Sequence, residues 1–347
     1  FQNVFLNSEI ARLNSLTNVY VPMAPNDAGL SLGAALYFLD ELQRKDPRIN
    51  VPRCLSAFLG PEYSDKEVKD EIQIWPVEYK QSINVSSEAA QSIAEGKVVG
   101  WFQGKQELGP RALGSRSVLG NPLHPDIKAK VNQVLKKRDW FMPYAPSCLF
   151  ESSHEYFEES PIARFMSFAL IPKVGRMPSE VLSNISHVDG TSRAQYVTKD
   201  ENPRYHQLIS DFSKLSGVSI VLNTSFNRHG IATISSPKQA LEHLVCGNIE
   251  ELYLGNYKIT PISIHEVNQT PIVSEDVEIL MISLKPHLDF FAGKSDIPPK
   301  YSRTLEKYLT KLNLSIDYCY LIYDSQEIDL RGDNSGIRET LIKIIRS

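Results

Sequence analysis

The amino-acid sequence predicts an α/β protein. Short apolar runs typical of buried strands alternate along the chain with longer segments in which apolar residues recur at helical spacing. Residues 98–102 and 218–222 are runs of the first kind, and residues 86–95 and 202–216 are segments of the second kind. This alternation favours a sheet covered by helices over an all-α or all-β fold.

Composition restricts the class of protein. The 347 residues are 42% hydrophobic and 22% charged, which is typical of globular chains long enough for two domains or more. A formal net charge of -4 argues against a nonspecific nucleic-acid-binding protein, because such proteins normally have a basic domain. No apolar run approaches the roughly 18 residues that span a bilayer, and residues 1–20 have no signal-peptide pattern. We therefore expect a cytoplasmic protein that contacts neither nucleic acid nor membrane.

The four cysteines are far apart in the sequence and form no CxxC motif. They are Cys54, Cys148, Cys246 and Cys319. Their apolar surroundings predict reduced thiols in the core and disfavour a metal cluster.

The first elements follow from local patterns. Residues 1–7 and 19–22 predict two strands, and the polar turn at Asn26 and Asp27 precedes a helix. The small residues at the start of that helix allow close packing or close approach of a ligand.

Two further helices are marked by their ends. Ser64 precedes a helix start, and residues 86–95 predict a helix with Ser86 or Ser87 as its N-cap. Gly96 follows that helix as its stop signal.

The remaining elements alternate in the same way. Pro125 begins a helix, and strands are expected at Phe141 and over residues 163–171. A helix from Pro237 to about residue 246 then leads to a closing strand over residues 250–259.

A basic, glycine-containing loop is the strongest candidate for a site. Residues 97–138 hold nine basic side chains against two acids. The glycine loop, which we define as residues 103–116, contains three glycines and a proline and can bring backbone amides close to a ligand. In it, Arg111 and Arg116 have the planar guanidinium fork that suits phosphate or carboxylate, and Lys105 offers a compact charge. The loop therefore predicts an anion site.

Three further cations are candidates beside the glycine loop. Lys136 and Arg138 fall in the last turn of the helix that begins at Pro125, where part of their placement is explained by the favourable interaction of cations with a helix C-terminus. Arg193 precedes an alternating strand, and an exposed strand charge is the alternative interpretation.

A polar segment follows the apolar run 218–222. Asn223 and Ser225 belong to it and offer neutral donors and acceptors that could orient an amide or a phosphate. A turn rich in Asn and Ser is the alternative.

The glycine loop also carries a family resemblance. WFQGKQELGPRALGSRS, followed by KKRDWFMPYAP, resembles the signature of the O-carbamoyltransferase family of nodulation and antibiotic-biosynthesis proteins, whose pattern is close to GWFQGRMEFGPRALGNRS and KxRExFRPFAP. HVDGTSRAQYV and NTSFN resemble the family as well. The resemblance covers residues 4–259.

The resemblance implies a domain organisation. Residues 1–60 would be the C-terminal remnant of a Kae1-like domain, a partial actin-like (ASKHA) segment, and residues 61–84 a linker. Residues 85–260 would form a YrdC-like α/β domain that binds carbamoyl phosphate and ATP, and residues 261–347 a small α/β appendage. Because the sequence starts without methionine inside an apparent strand, we expect a fragment of a longer protein.

The resemblance also implies a reaction. The family activates carbamoyl phosphate with ATP to carbamoyl adenylate and transfers the carbamoyl group to a hydroxyl acceptor, with Mg2+ as the counterion of ATP. On this resemblance, we assign the chemistry to Lys105, Arg111, Arg116 and Arg193. On the same resemblance, we assign cofactor binding to Asn7, Lys136, Arg138, Asn223 and Ser225.

A metal site is implied at Asp27. In the family the equivalent carboxylate binds Fe2+ together with histidines, which would precede Phe1 in the complete enzyme. The alternative for Asp27 is a helix N-cap.

The sequence departs from the family pattern at three positions, of which Met142 and Ile231 put full activity or ordinary substrate choice in doubt. Met142 and Ile231 replace an arginine and a glutamate, and Asn26 replaces a glycine. Two other interpretations remain open: an enzyme of the tRNA threonylcarbamoyladenosine type, and a phosphate- or nucleotide-binding module without turnover.

Overall fold

The computed structural model describes residues 2–13, 15–16, 18–51, 56–75, 77–132, 144–158, 163–228, 230–245 and 249–261. The chain divides into two compact units, of which the first consists of Phe1–Gln73 with Glu78–Thr260 and holds every site described below. The second consists of Ile74–Val77 with Pro261–Ser347. Nearly all of the expected appendage lies outside the described residues.

Within the described residues, eight strands form one mixed sheet, which confirms the α/β class. In chain order they are β1 Val77–Gln81, β2 Val99–Phe102, β3 Arg116–Gly120, β4 Ala145–Leu149, β5 Gln195–Val197, β6 Ile220–Ser225, β7 Glu251–Leu254 and β8 Tyr257–Pro261. Their order in the sheet is β1-β8-β7-β2-β3-β6-β4-β5. The pairs β2–β7 and β4–β5 are parallel, whereas β2–β3, β3–β6, β4–β6 and β7–β8 are antiparallel.

The α-helices of the described residues are short apart from two. They are α1 Val4–Ala11, α2 Leu30–Lys45, α3 Asp65–Ile72, α4 Val85–Ala94, α5 Ile127–Val131, α6 Ser153–Tyr156, α7 Ser179–Ile185, α8 Pro203–Ser216 and α9 Pro237–Val245. Helices α4 and α8 bury apolar side chains against β2, β3 and β6 in one core cluster, with Trp101 and Phe212 among its largest members. None of these helices has the length and hydropathy needed to cross a membrane.

Several helix ends confirm the sequence predictions. Ser64 caps α3 in a reciprocal capping box with Glu67. Helix α8 has Asn202 as its N-cap and ends at Gly217, whose φ of 76° is left-handed. The expected cap of α4 was wrong, because the side chain of Asn84, and not of Ser86 or Ser87, accepts the hydrogen bond from the Ser87 N–H.

The two strands expected at the N-terminus were wrong. Residues 4–11 form α1, because the side-chain oxygen of Asn3 accepts hydrogen bonds from the N–H groups of Phe5 and Leu6 and so starts a helix. Residues 19–22 have no regular structure. The helix expected after the polar turn is confirmed as α2, preceded by a 3-10 turn over Asp27–Gly29.

Two other strand predictions need correction. Residues 163–171 make only an isolated bridge, between Leu170 and Ser192, and the left-handed φ of 54° at Met166 interrupts any extended run. The closing segment is a hairpin of β7 and β8 that turns at Gly255, and not one strand. The strand expected at Phe141 lies outside the described residues, and β4 begins at Ala145.

The cysteine prediction is confirmed at one position. Cys148 is a free, buried thiol in β4, and burial raises its pKa. The other three cysteines lie outside the described residues.

Candidate functional site

The glycine loop connects the end of β2 to the start of β3, and two of its glycines are required by packing. Gly109 has a φ of 106°, and a Cβ atom there would lie 2.3 Å from the carbonyl oxygen of Met23. Gly114 has a φ of 100°, and a Cβ atom there would lie 2.1 Å from the Tyr205 ring. Only glycine fits both the backbone conformation and the space. The loop therefore lies close against residue 23 on one side and α8 on the other.

The backbone amides of the glycine loop are engaged by the carboxylate of Glu107. Its Oε1 accepts hydrogen bonds from the N–H groups of Leu113 (2.7 Å), Ser115 (2.7 Å) and Arg116 (3.1 Å). Glu107 is only 8% exposed. We expected these amides to bind a ligand. In the structure they donate instead to a carboxylate of the chain itself. Sequence reasoning missed Glu107, although an acid next to a run of glycine-loop amides was the signal.

Arg116 is completely buried at the start of β3. Its guanidinium carbon lies 3.6 Å from the centroid of the Phe102 ring. Burial lowers its pKa to about 10, and the nearby Glu107 opposes this effect. Its Nη1 and Nη2 donate to backbone carbonyl oxygens of Gln103, Gly104, Ser115 and Pro61, at 3.0 to 3.2 Å. Arg116 therefore ties the glycine loop to the segment before α3, whatever ligand is present.

Arg111 differs from Arg116 in its exposure and in its partners. It is half-buried, and within the described residues its guanidinium has no hydrogen bond or ion pair. Burial lowers its pKa, and no carboxylate offsets the effect. A half-buried cation without a partner is costly unless an anion arrives. Arg111 is thus the strongest candidate for a ligand-binding residue in the described chain.

Arg111 lines a small depression that is open to solvent. Helix α1, the segment before the Asp27 turn, the glycine loop and residues 165–167 meet around it. Met166 lines it and is the described non-glycine residue with positive φ, a conformation that costs energy and is common at functional sites. The lining residues are Gln2, Val4, Met23, Pro25, Pro110, Arg111, Phe165, Met166 and Ser167.

Asn7 lies behind this depression. It is buried in α1 and not in an open nucleotide loop, and its Nδ2 donates to the Ser167 carbonyl oxygen at 2.9 Å. Its position holds α1 against a segment that lines the depression.

Asp27 is exposed in the 3-10 turn, two residues beyond Pro25. It does not act as the N-cap of α2, since Gly29 occupies that position. Within the described part of the chain no three His, Cys, Asp or Glu side chains come together as a metal site. The described residues thus do not complete a site for Fe2+ at Asp27.

The other predicted cations have different surroundings. Lys105 is exposed in the glycine loop. Arg193 lies near His187, whose pKa is lowered by burial first and then by the positive charges of Arg193 and Lys128. Lys136 and Arg138, like Met142, lie outside the described residues.

Asn223 and Ser225 lie inside a strand, which corrects the expectation that the polar segment follows the strand end. Strand β6 continues through Ser225, between two antiparallel neighbours. Asn223 is 2% exposed, and its Nδ2 donates to the Ala112 carbonyl oxygen (3.1 Å) and to Ser147 Oγ (3.0 Å). The Ser225 hydroxyl donates to Asn227 Oδ1. Asn223 therefore anchors the glycine loop through its hydrogen bond to Ala112.

Residues 90–260, which hold the sheet from β2 to β7, most of β8 and the glycine loop, match the family described as Carbamoyltransferase C-terminus. These residues thus form a carbamoyltransferase C-terminal domain.

Curated relatives agree with this class. The chain is 34% identical over 309 residues to nodulation protein NolO of Bradyrhizobium diazoefficiens, covering 87% of the chain and 54% of the relative. It is 36% identical to nodulation protein NolNO of Sinorhizobium fredii, covering 82% and 41%, and 31% identical to the 3'-hydroxymethylcephem-O-carbamoyltransferase of Streptomyces clavuligerus, covering 72% and 45%. The chain belongs to the O-carbamoyltransferase family that includes these nodulation and antibiotic-biosynthesis proteins.

The chain spans about half the length of these relatives. Among solved structures, full-length HypF in its phosphate- and nucleotide-bound form is similar over 50% of the chain and 21% of HypF, with 18% identity and a TM-score of 0.36. A likeness of that size supports no conclusion about function.

Proposed function

We propose that this chain is the C-terminal portion of an ATP-dependent O-carbamoyltransferase whose anion site is the depression around Arg111. The observation that carries the proposal is the half-buried guanidinium of Arg111, which has no hydrogen-bond or ion-pair partner among the described residues of the carbamoyltransferase domain. Its planar fork suits an oxygen-rich anion such as the phosphate of carbamoyl phosphate or of ATP. Because ATP is the co-substrate, the protein would be cytoplasmic.

The proposed reaction has three balanced steps. Carbamoyl phosphate reacts with water, its bond between carbamoyl group and phosphate breaks, and inorganic phosphate and carbamate result. A carbamate oxygen then attacks the α-phosphorus of ATP, and pyrophosphate leaves with the electron pair of the broken P–O bond. Finally the acceptor hydroxyl attacks the carbamoyl carbon of the adenylate, loses its proton, and AMP leaves.

The residues divide between ligand binding and support. Arg111 neutralises phosphate oxygens in a partly desolvated site, where a fixed charge acts more strongly than in water. Lys105, exposed in the same loop, adds a second cation for the polyphosphate, and Arg193 adds a third. Arg116 holds the loop that carries both Lys105 and Arg111.

The remaining proposed contacts are less direct. We assign Lys136 and Arg138 to nucleotide phosphates and Ser225 to the carbamoyl amide. Asn223 contributes through its hydrogen bond to Ala112, beside Arg111. Mg2+ would enter as the counterion of ATP. No step is assigned to iron at Asp27.

The experiment is a pyrophosphate-release assay with ATP, in the presence and absence of carbamoyl phosphate. We expect carbamoyl-phosphate-dependent release that Arg111→Ala reduces about 10- to 100-fold, because a hydrogen bond between charged groups is worth about 1.5 to 3 kcal/mol. Arg176→Ala is the matched control, since Arg176 is an exposed arginine elsewhere on the domain. Nucleotide binding without pyrophosphate release would instead identify a binding module, and equal rates for the two variants would remove Arg111 from the site.

A further inference from the structure

We propose that Glu107 is a positioning residue for Arg111, which it holds towards the anion site by filling the amide cluster of the glycine loop. The inference rests on the proposed function in one respect only, namely that Arg111 is the residue that receives the anion. Glu107 would not touch the substrate.

The first support is the geometry of the carboxylate. A single oxygen of Glu107 accepts three backbone N–H groups from Leu113, Ser115 and Arg116. Convergent amides of this kind form an anion-binding site, and a carboxylate that accepts two or three such hydrogen bonds is strongly held. The Glu107 carboxylate therefore already binds these amides, and an incoming phosphate must bind to side chains instead.

The second support is the position of Arg111 within the loop. The hydrogen bond from the Leu113 N–H to Glu107 closes a ring of backbone and side chain that contains Gly109, Pro110 and Arg111. Proline fixes its own φ, and Gly109 packs against Met23. Pro110 and Gly109 therefore restrict the backbone of this ring next to Arg111.

The third support is that both ends of the ring are tied to other elements. The N–H of Leu108 donates to the Ala57 carbonyl oxygen at 2.6 Å. On the other side, the carbonyl oxygens of Ala112 and Leu113 accept hydrogen bonds from the side chains of Asn223 (3.1 Å) and Gln195 (2.9 Å). Arg111 lies between these fixed points, so its direction depends on the ring that Glu107 closes.

This arrangement explains how Arg111, without a partner among the described residues, remains in a half-buried position. Without Glu107, three buried N–H groups would lose their acceptor, and the loop would open to let water satisfy them. Arg111 could then turn towards solvent. With Glu107 in place, that motion is blocked and the guanidinium is fixed before the ligand arrives.

The test measures the accessibility of Arg111 without turnover. Wild-type protein and Glu107→Ala are labelled with phenylglyoxal, which modifies exposed guanidinium groups, and the labelling of each arginine is followed by mass spectrometry. We expect Arg111 to react about tenfold faster in Glu107→Ala, because the loss of one buried acceptor for several amides favours local opening by at least that factor. Arg176, which is exposed in both proteins, is the internal control and should react at the same rate.

Chemical rescue separates positioning from a general loss of structure. Formate is small enough to enter the space left by the Glu107 carboxyl group and to accept the same three N–H groups. It should slow the labelling of Arg111 in Glu107→Ala and leave wild type unchanged. An unchanged rate at Arg111 in folded Glu107→Ala, or an equal formate effect on both proteins, would overturn the proposal.

A second variant covers the case in which Glu107→Ala does not fold. Glu107→Gln keeps an oxygen acceptor without the charge, so Arg111 should still react faster than in wild type, and an unchanged rate would count against the proposal. The same proteins are assayed for pyrophosphate release. A shift in labelling without any carbamoyl-phosphate-dependent release in wild type would refute the proposed function and leave the role of Glu107 standing.

Discussion

Arg116 and Phe102 face each other at the junction of β3 and β2, with the guanidinium carbon 3.6 Å from the ring centroid. The two residues are partners in the antiparallel register of these strands. Arg111, five residues earlier in the same loop, has no such partner within the described residues. The two arginines of one motif thus have different surroundings: Arg116 holds the loop, and Arg111 is the one that we propose binds a ligand.

The first prediction separates the two arginines by stability. Arg116→Ala should lower the free energy of unfolding by about 3 kcal/mol or more, because buried carbonyl oxygens lose their donor at about 1 to 3 kcal/mol each, reduced where water enters. Arg111→Ala should change it by less than about 1 kcal/mol, since no hydrogen bond is lost. Urea unfolding of both variants measures the difference. Similar stability losses for the two variants would show that the buried contacts of Arg116 are not important for folding.

The sequence could predict what depends on near neighbours. The helix start at Ser64 and the helix over residues 202–216 were predicted correctly, because caps and stop signals act within a few residues. The helix at residues 4–11 was missed, although its cap Asn3 is local, because a short apolar segment fits either a strand or a helix.

The site was harder to predict because its contacts join distant residues. The motif located the glycine loop correctly, but spacing alone could not distinguish Arg111 from Arg116, since the sheet register decides which is buried. The role of Asn223 depends on Ser147 and Ala112, which are 76 and 111 residues away. Local polarity therefore predicted a strand end where β6 continues.

The second prediction concerns the glycine loop backbone. Gly114→Ala should destabilise the protein by several kcal/mol, or prevent folding, because it combines a φ of 100° with a Cβ atom 2.1 Å from the Tyr205 ring. Gly33→Ala is the contrasting variant. Gly33 lies inside α2 with nothing within 4 Å of the added Cβ atom, so alanine should stabilise by about 0.5 to 1 kcal/mol. Thermal unfolding measures both changes, with a lower melting temperature expected for Gly114→Ala and a higher one for Gly33→Ala. A stable Gly114→Ala protein would contradict the packing of the loop against α8.

The third prediction concerns metal at Asp27. After a chelator wash, the chain should contain less than one equivalent of iron or zinc, and Asp27→Ala should leave that content unchanged, because one exposed carboxylate leaves most of a coordination sphere to water. Elemental analysis of the two proteins decides it. Stoichiometric metal that is lost in Asp27→Ala would show that ligands outside the described residues complete a site there.

The last prediction uses a buried carboxylate in β7, the strand that pairs with β2. Glu251 in β7 is 5% exposed and pairs with Lys258 (2.8 Å) and Lys97, and Ser92 donates a further hydrogen bond to it. Burial alone would raise its pKa, but Lys258, Lys97 and Ser92 together hold the pKa below the ordinary value of 4.5. A carboxylate with a lowered pKa in the folded state stabilises the fold above its unfolded pKa, and this contribution is lost as pH falls through the folded value.

Glu251→Gln should therefore reduce stability at pH 7 by about 1 to 3 kcal/mol, because two partly buried lysines lose their anion. Below pH 4.5 the gap to wild type should narrow, since the wild-type carboxylate becomes protonated there and loses the same interactions. Other carboxylates titrate in this range, so the measured quantity is the difference between variant and wild type in urea unfolding from pH 3 to pH 7. Glu155→Gln, at an exposed position in α6, provides the control and should show no pH-dependent difference. A gap for Glu251→Gln that stays constant down to pH 3 would mean that Glu251 acts by packing and hydrogen bonding alone, and not through its charge.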